Sequence, residues 1–307
     1  MRAPTWQGVL QSLMGTVGRR FVIGVPMAFL LMVFAMPFLV VFKISISQVD
    51  GVRFVDLLTW KDGLLQLQLK FTNYQVIFLQ DDLYLRAYLS SIWFAGITTV
   101  ICLVIGYPFA YFLARSRSDV RPGLLMLLML PFWTSFLLRV YAWKMLLADN
   151  GVFNNLAIAL GALSAPVKMM NTPFSLTLGM VYTYLPFMVL PLYANLVKLD
   201  VRLLEAARDL GATPWQAFWR ITVPLSRGGI IAGALLVFIP CVGEFVIPEL
   251  LGGPETLMIG RVLWDEFFSN NDWPMASSVA VIMVLLIIVP LALFHRYQGQ
   301  AIEGAGR

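Results

Sequence analysis

Residues Asp200 to Pro224 read DVRLLEAARDLGATPWQAFWRITVP, the one long polar connection with a recognisable pattern in an otherwise apolar chain. The pattern predicts two short helices joined by a glycine turn. Asp200 is placed to cap the first helix, with Leu203, Ala207 and Leu210 recurring at helical spacing on one side and Arg202, Glu205 and Asp209 on another. Gly211 supplies the left-handed residue that ends it. Thr213 and Gln216 make a capping box with Pro214 at the first helical position, and Trp215, Phe218 and Trp219 form an apolar stripe. Pro224 is expected to stop the second helix. On pattern alone, the pair suits either a protein-docking loop or an amphipathic element lying at a lipid surface.

The surroundings of this loop are those of a membrane protein. Of 307 residues, 59% are hydrophobic and 13% charged, about half the charged fraction of soluble domains. An uncharged run of 22 residues, Phe21 to Phe42, would extend roughly 33 Å as a helix, enough to span a hydrocarbon core. It is too long for the apolar region of a signal peptide and ends in no small-residue cleavage site. Further runs are Ala87 to Ala114, Pro122 to Leu138 (continuing past Arg139 to about Leu147), Met169 to Val197, Gly228 to Gly243 (continuing past Glu244 to Pro248) and Trp273 to Phe294. The expectation is an all-α polytopic fold with six transmembrane helices in 21–297, between tails 1–20 and 298–307.

Six crossings put both termini on one side, and the basic residues orient the chain. The tail 1–20, 115–121, the loop 198–227 and the C-terminal segment from His295 onward carry 13 Lys and Arg, against 7 in 43–86, 148–168 and 249–272. Both termini and the loop 198–227 are therefore expected to be cytoplasmic. Acidic residues lean the other way, 5 inside against 11 outside. On the outer side, the alternating Leu65-Gln66-Leu67-Gln68-Leu69 followed by Phe71-Thr72-Asn73-Tyr74 suggests a small cap or a plain connector, and Arg261 to Phe268 an amphipathic helix with Trp264, Phe267 and Phe268 on its apolar side. Prolines at 26, 37, 108, 131, 186, 191, 240 and 290 fall within the apolar runs, where they suit a moving pathway or simply the usual proline content of membrane helices.

The chemistry that is missing narrows the function. A single histidine, His295, leaves no triad or multi-histidine metal site to assemble, and Cys102 and Cys241 sit inside apolar runs as packing residues. An enzyme is not expected, nor a cofactor or metal in this chain, and the distribution of the +5 net charge argues for membrane orientation rather than nucleic acid. None of the six lysines follows a glycine, so no Walker A loop is present and a pump built on this chain needs its ATP bound elsewhere. Ionisable residues well inside helices are confined to Arg139, Lys144 and Glu244, which disfavours an ion-coupled secondary carrier.

Glu205-Ala206-Ala207, three residues, Gly211, nine residues, Ile221 and Val223-Pro224 resemble the cytoplasmic "EAA" loop of ABC importer permeases. Val223 stands where that family usually has leucine. The resemblance implies an ATPase-coupling contact at Leu204, Glu205, Ala206, Ala207, Asp209 and Gly211. Leu130-Pro131-Phe132-Trp133-Thr134-Ser135, Arg139-Val140-Tyr141-Ala142-Trp143, Tyr184 to Pro191 and Val242 to Gly253 are similar to polyamine importer permeases, in particular the putrescine type. The resemblance covers most of the chain from Phe21 to His295. It implies a multi-pass inner (plasma) membrane protein working with a second, homologous permease, an ATPase dimer that binds ATP and Mg, and a periplasmic binding protein. Alternatives are a permease for another delivered solute, an ion-coupled carrier, or a membrane scaffold without a transport role.

A cationic amine needs acidic and aromatic partners, and Trp133, Tyr141, Tyr182 and Tyr184 are candidates, against the plain alternative that they pack on lipid or neighbours. Glu244 lies sixteen residues past Gly228, roughly 24 Å along a helix, and Arg139 seventeen past Pro122, roughly 26 Å. Equal depth predicts either a structural Glu244–Arg139 ion pair or a free Glu244 carboxylate that meets the substrate.

Overall fold

A computed structural model describes the backbone from Phe21 to Ala305 apart from residues 48, 51–52, 55–57, 62–63 and 68–70, and the side chains of residues 21–47 and 71–292. The tail 1–20 lies outside the described residues, and 298–305 is described as helical backbone only. The elements in chain order are α1 (Phe21–Ser45), two small antiparallel hairpins, β1 (Val49–Asp50) with β2 (Arg53–Phe54) and β3 (Leu58–Lys61) with β4 (Leu64–Leu67), the short helical turns Thr72–Gln75 and Val76–Gln80, and then α2 (Asp82–Arg115). There follow α3 (Arg121–Trp133), α4 (Phe136–Leu147), α5 (Val152–Ala159) and α6 (Pro173–Leu196). The remainder is α7 (Arg202–Asp209), α8 (Pro214–Leu225), α9 (Arg227–Val242), α10 (Val246–Leu251), α11 (Ile259–Trp264) and α12 (Trp273–Ala305).

Among the described residues, four helices are long and apolar enough to cross a bilayer on their own, within α1, α2, α6 and α12. Two bent pairs bring the number to six when each is one span: α3 with Phe136–Ala159, bent by 84°, and α8 with α9, bent by 65°. The expected third helix is thus broken near its middle. At the break Thr134 is extended, its hydroxyl donates to the Pro131 carbonyl at 2.7 Å, and Pro131 has no N–H to carry the helical ladder forward. Prolines alone do not set the breaks, since Pro108, Pro186, Pro191 and Pro240 all lie inside continuous helices. The second helix of the polar loop also runs past Pro224 to Leu225 and bends only at Ser226.

Contacts divide the chain into two units, residues 1–74 with 272–281 and residues 75–271 with 282–307. In the first, the Ser278 hydroxyl donates to the Ser45 carbonyl at 3.0 Å, and Ser45 and Tyr74 share a hydroxyl–hydroxyl bond at 2.9 Å. Part of the alternating 65–69 run forms β4, which pairs Leu67 with Leu58 and Leu64 with Lys61, while residues 68 and 69 lie outside the described residues.

The second unit is built on α2, α6 and α9, which pack on one another around fully buried Ala95, Cys102, Met180, Met188, Val189, Leu192, Val237 and Cys241. Small residues permit this closeness, because helices in lipid associate by contact rather than by exclusion of water. A Cβ added at Gly229 would sit 2.8 Å from the Asn195 Cβ and 3.1 Å from the Pro191 carbonyl oxygen. Gly24, in contrast, has nothing within 4 Å. Gly229→Val is therefore expected to destabilise the purified chain by about 1–3 kcal/mol, the usual range for overpacking, and to lower its thermal midpoint in detergent. Gly24→Val should leave that midpoint unchanged.

Candidate functional site

The polar loop leaves α6 after Leu196, and Asp200 Oδ1 accepts the Arg202 N–H at 3.0 Å to start α7. Its end is a complete Schellman turn: the Ala212 N–H donates to the Ala207 carbonyl at 2.9 Å and the Gly211 N–H to Arg208 at 2.8 Å, with Gly211 at φ +82°. The Thr213 N–H donates to Gln216 Oε1 at 3.0 Å and the Gln216 N–H to Thr213 Oγ1 at 3.3 Å, closing the capping box that opens α8. Two helices and a glycine turn are present as the pattern predicts. Their buried face is not. Leu204 is the anchored residue, 8% exposed, whereas Leu203 and Leu210, read from spacing as one apolar side, are exposed, Leu210 at 89%. Glu205, Ala206 and Asp209 are exposed with them, and Ala207 is half-buried.

The far end of the loop is tied to the core. Trp215, Phe218 and Trp219 contact one another at ring separations of 5.4–6.1 Å, and Phe218 stands edge-on to Tyr107 at 5.5 Å and to Tyr111 at 5.9 Å, both on α2. At the α8–α9 bend, Ser226 Oγ donates to the Val223 carbonyl at 3.0 Å, so the Tyr107 hydroxyl, 2.7 Å away, donates to Ser226. This buried bond between α2 and the bend was not legible beforehand. A serine just past Pro224 marks the bend, but nothing local points to Tyr107.

Glu244 is not inside a helix. α9 ends at Val242, Gly243 follows as its C-cap, and α10 begins at Val246, so the apolar run to Pro248 is interrupted at the acid. Glu244 Oε1 accepts the N–H groups of Phe245, Val246 and Ile247 at 3.2, 3.0 and 3.4 Å, and Oε2 accepts the Tyr184 hydroxyl at 2.5 Å. A carboxylate there satisfies donors that lack helical partners and meets the positive end of the helix dipole. The Gly260 backbone closes on the same break, where an added Cβ would lie 2.5 Å from the Glu244 carbonyl oxygen.

The Glu244–Arg139 ion pair is not formed. Among the described residues the ion pairs are Arg86–Asp82, Arg117–Asp119 and Arg261–Glu249. The Arg139 guanidinium instead lies 4.6 Å above the Phe132 ring and 5.9 Å from Phe136, with Nε and Nη1 buried and without a hydrogen-bond partner. Equal depth presumed two straight helices, and the 84° bend after Trp133 removes that premise for Arg139.

Of the aromatic candidates, Tyr184 alone is brought to Glu244. Tyr182 packs edge-on to Trp143 at 5.4 Å, Tyr141 is exposed with Lys144 Nζ 6.0 Å from its ring, and Trp133 is 71% exposed at the break. The helix expected from Arg261 to Phe268 is present, continuing to Ser269, with Trp264 stacked on Phe245 at 4.5 Å and 4.1 Å from Phe268.

Comparison with known proteins agrees with this architecture. Residues 106–304 match the family described as binding-protein-dependent transport system inner membrane component. The chain is 38% identical over 278 residues to the spermidine/putrescine transport system permease protein PotB of Haemophilus influenzae, covering 91% of this chain and 93% of that one. It is 43% identical over 236 residues to PotB of Escherichia coli K12, covering 77% and 86%. In fold it is similar to a chain of a bacterial alginate ABC transporter solved in complex with an alginate pentasaccharide-bound periplasmic protein, with a TM-score of 0.66 at 16% identity over 92% of this chain and 95% of that one. A broken-helix membrane core, a two-helix polar loop and a family match over more than half the length lead to one conclusion: the chain belongs to the binding-protein-dependent transport system inner membrane components, as a multi-pass ABC importer permease.

Proposed function

We propose that this chain is a permease subunit of an ATP-driven polyamine importer, with putrescine among its substrates. The observation that carries the reading is 38% identity to a spermidine/putrescine permease over nine-tenths of both chains. In this reading both termini and the loop 198–227 are cytoplasmic, as the excess of basic residues on that side favours. The exposed face of α7, with Leu203, Glu205, Ala206, Asp209 and Leu210, seats in an ATPase subunit, while Leu204 anchors the helix from behind and Gly211 sets its angle. ATP and Mg belong to that ATPase pair. A second, homologous permease completes the pathway, and a periplasmic binding protein delivers the amine. Tyr184 and Glu244 hold the α9–α10 break, and Trp133 and Tyr141 face outward from this subunit towards whatever covers it.

Reconstitution of the chain with its partner permease, ATPase and binding protein in proteoliposomes tests this. Uptake of labelled putrescine and spermidine should require ATP inside the assembly and stop when the ATPase is inactivated. Uptake driven instead by a proton or sodium gradient would overturn the importer reading. ATP-dependent uptake of another solute, with neither amine competing, would overturn the polyamine reading alone.

A further inference from the structure

A cavity of about 450 Å³ lies between the C-terminal half of α2 and α8, walled by Leu103, Val104 and Pro108 on one side and Trp215, Phe218 and Trp219 on the other. That volume is within the range of small-ligand sites, roughly 300–1,000 Å³. The walls are aliphatic and aromatic. The cavity opens sideways, since Val104 is 66% exposed and both tryptophans are exposed. α2 is long and apolar enough to cross a bilayer, so an opening on its flank is within reach of lipid chains.

Depth and charge identify the occupant. Residues 103–108 precede Arg115 by seven to twelve positions, about 11–18 Å along the helix axis. That reach matches one leaflet of a hydrocarbon core about 30 Å thick. At the shallow end, the half-buried Arg115 places its guanidinium 5.4 Å from the Tyr111 ring, and Tyr111 meets Phe218, a wall residue, at 5.9 Å. None of the described ion pairs uses Arg115. A cation beside amphipathic rings at the end of a span is the chemistry that holds a phosphate headgroup at the interface.

We propose that this cavity binds one acyl chain of an anionic phospholipid whose headgroup is held at Arg115. The occupant touches Tyr107 and Phe218, two of the side chains that join α2 to the loop, and Tyr107 also bonds Ser226 at the α8–α9 bend. The inference rests on the placement of α2 as a span and not on what α7 docks against, so lipid retention and ATPase association fail independently.

Native mass spectrometry of the full assembly, purified in mild detergent and incubated with equal phosphatidylglycerol and phosphatidylcholine of the same chain length, tests it. Wild type should retain phosphatidylglycerol at least fivefold in preference. Val104→Trp, which fills an exposed part of the cavity, should cut retention at least fivefold, and Leu236→Trp, on the exposed surface of α9, should not. Arg115→Gln should equalise the two lipids. In a second measurement, chain-brominated phosphatidylglycerol should quench tryptophan fluorescence less once Trp215 and Trp219 are both phenylalanine. Equal retention by wild type and Val104→Trp, no preference for the anionic lipid, or a cross-link from position 104 to the second permease would each overturn the proposal.

Discussion

Gly211→Val is expected to lower ATP-driven uptake at least tenfold while the protein still reaches the membrane. The effect comes from the backbone alone. Gly211 sits at φ +82°, with nothing within 4 Å of where a Cβ would stand, so a side chain there has room but not the conformation. For L-residues the left-handed region costs about 1–2 kcal/mol, and β-branched residues adopt it least readily. Valine should therefore unwind the turn held by the Ala212-to-Ala207 and Gly211-to-Arg208 bonds and tilt α7, with its exposed Leu203 and Leu210, away from its docking angle. About 1.4 kcal/mol is already a factor of ten in a docking equilibrium. Gly211→Asn supplies the control, because asparagine tolerates the left-handed region, and it should retain most of the uptake. The checks are uptake and recovery of ATPase with the purified permease at matched membrane levels. Full activity of the valine variant would remove α7 from the coupling role, as would full activity with a bulky residue at Ala207.

The second large effect is expected at Glu244. Its carboxylate satisfies three N–H groups at the start of α10 as well as the Tyr184 hydroxyl. Glu244→Ala strands those donors, at about 1–3 kcal/mol for each group left buried and unsatisfied, and should greatly reduce the yield of assembled permease. Glu244→Gln keeps an acceptor oxygen but loses the charge at the helix start, and should give an intermediate loss. Two further variants separate this role from others. Tyr184→Phe should weaken the same break, and its effect should be less than additive with Glu244→Gln because the two changes remove one shared bond. Arg139→Gln should restore nothing in the Glu244→Gln background, since the guanidinium stacks on Phe132 and does not meet Glu244. Thermal stability and assembly yield report these outcomes. A Glu244→Gln protein with wild-type stability but poor uptake would assign the carboxylate to substrate contact instead.

Where information is local, the sequence sufficed. An uncharged run of 22 residues is a span whatever surrounds it, because a bilayer leaves backbone groups no partners except within a helix. The Asp200, Gly211 and Thr213–Gln216 signals likewise act within a few residues, and all three form the bonds their types predict. Six apolar runs, the two-helix loop and the family resemblance were legible for that reason. Which side of α7 is anchored was not, since Leu203, Leu204 and Leu210 are equally apolar and only packing against the rest of the chain separates the buried one from the exposed pair. The interruption of apolar runs at Thr134–Ser135 and at Gly243–Phe245 was hidden too. Hydropathy measures cost of transfer and is blind to an 84° bend, whereas the bend decides which side chains can meet. Counting 1.5 Å per residue placed Glu244 level with Arg139, but tertiary structure turned one to the start of α10 and the other onto an aromatic ring. The partners of Glu244 lie on its own next three residues and, sixty positions away, on Tyr184. The first set follows from any helix that begins at position 246, while the second exists only because α6 and α9 pack closely enough to bring a hydroxyl to the break.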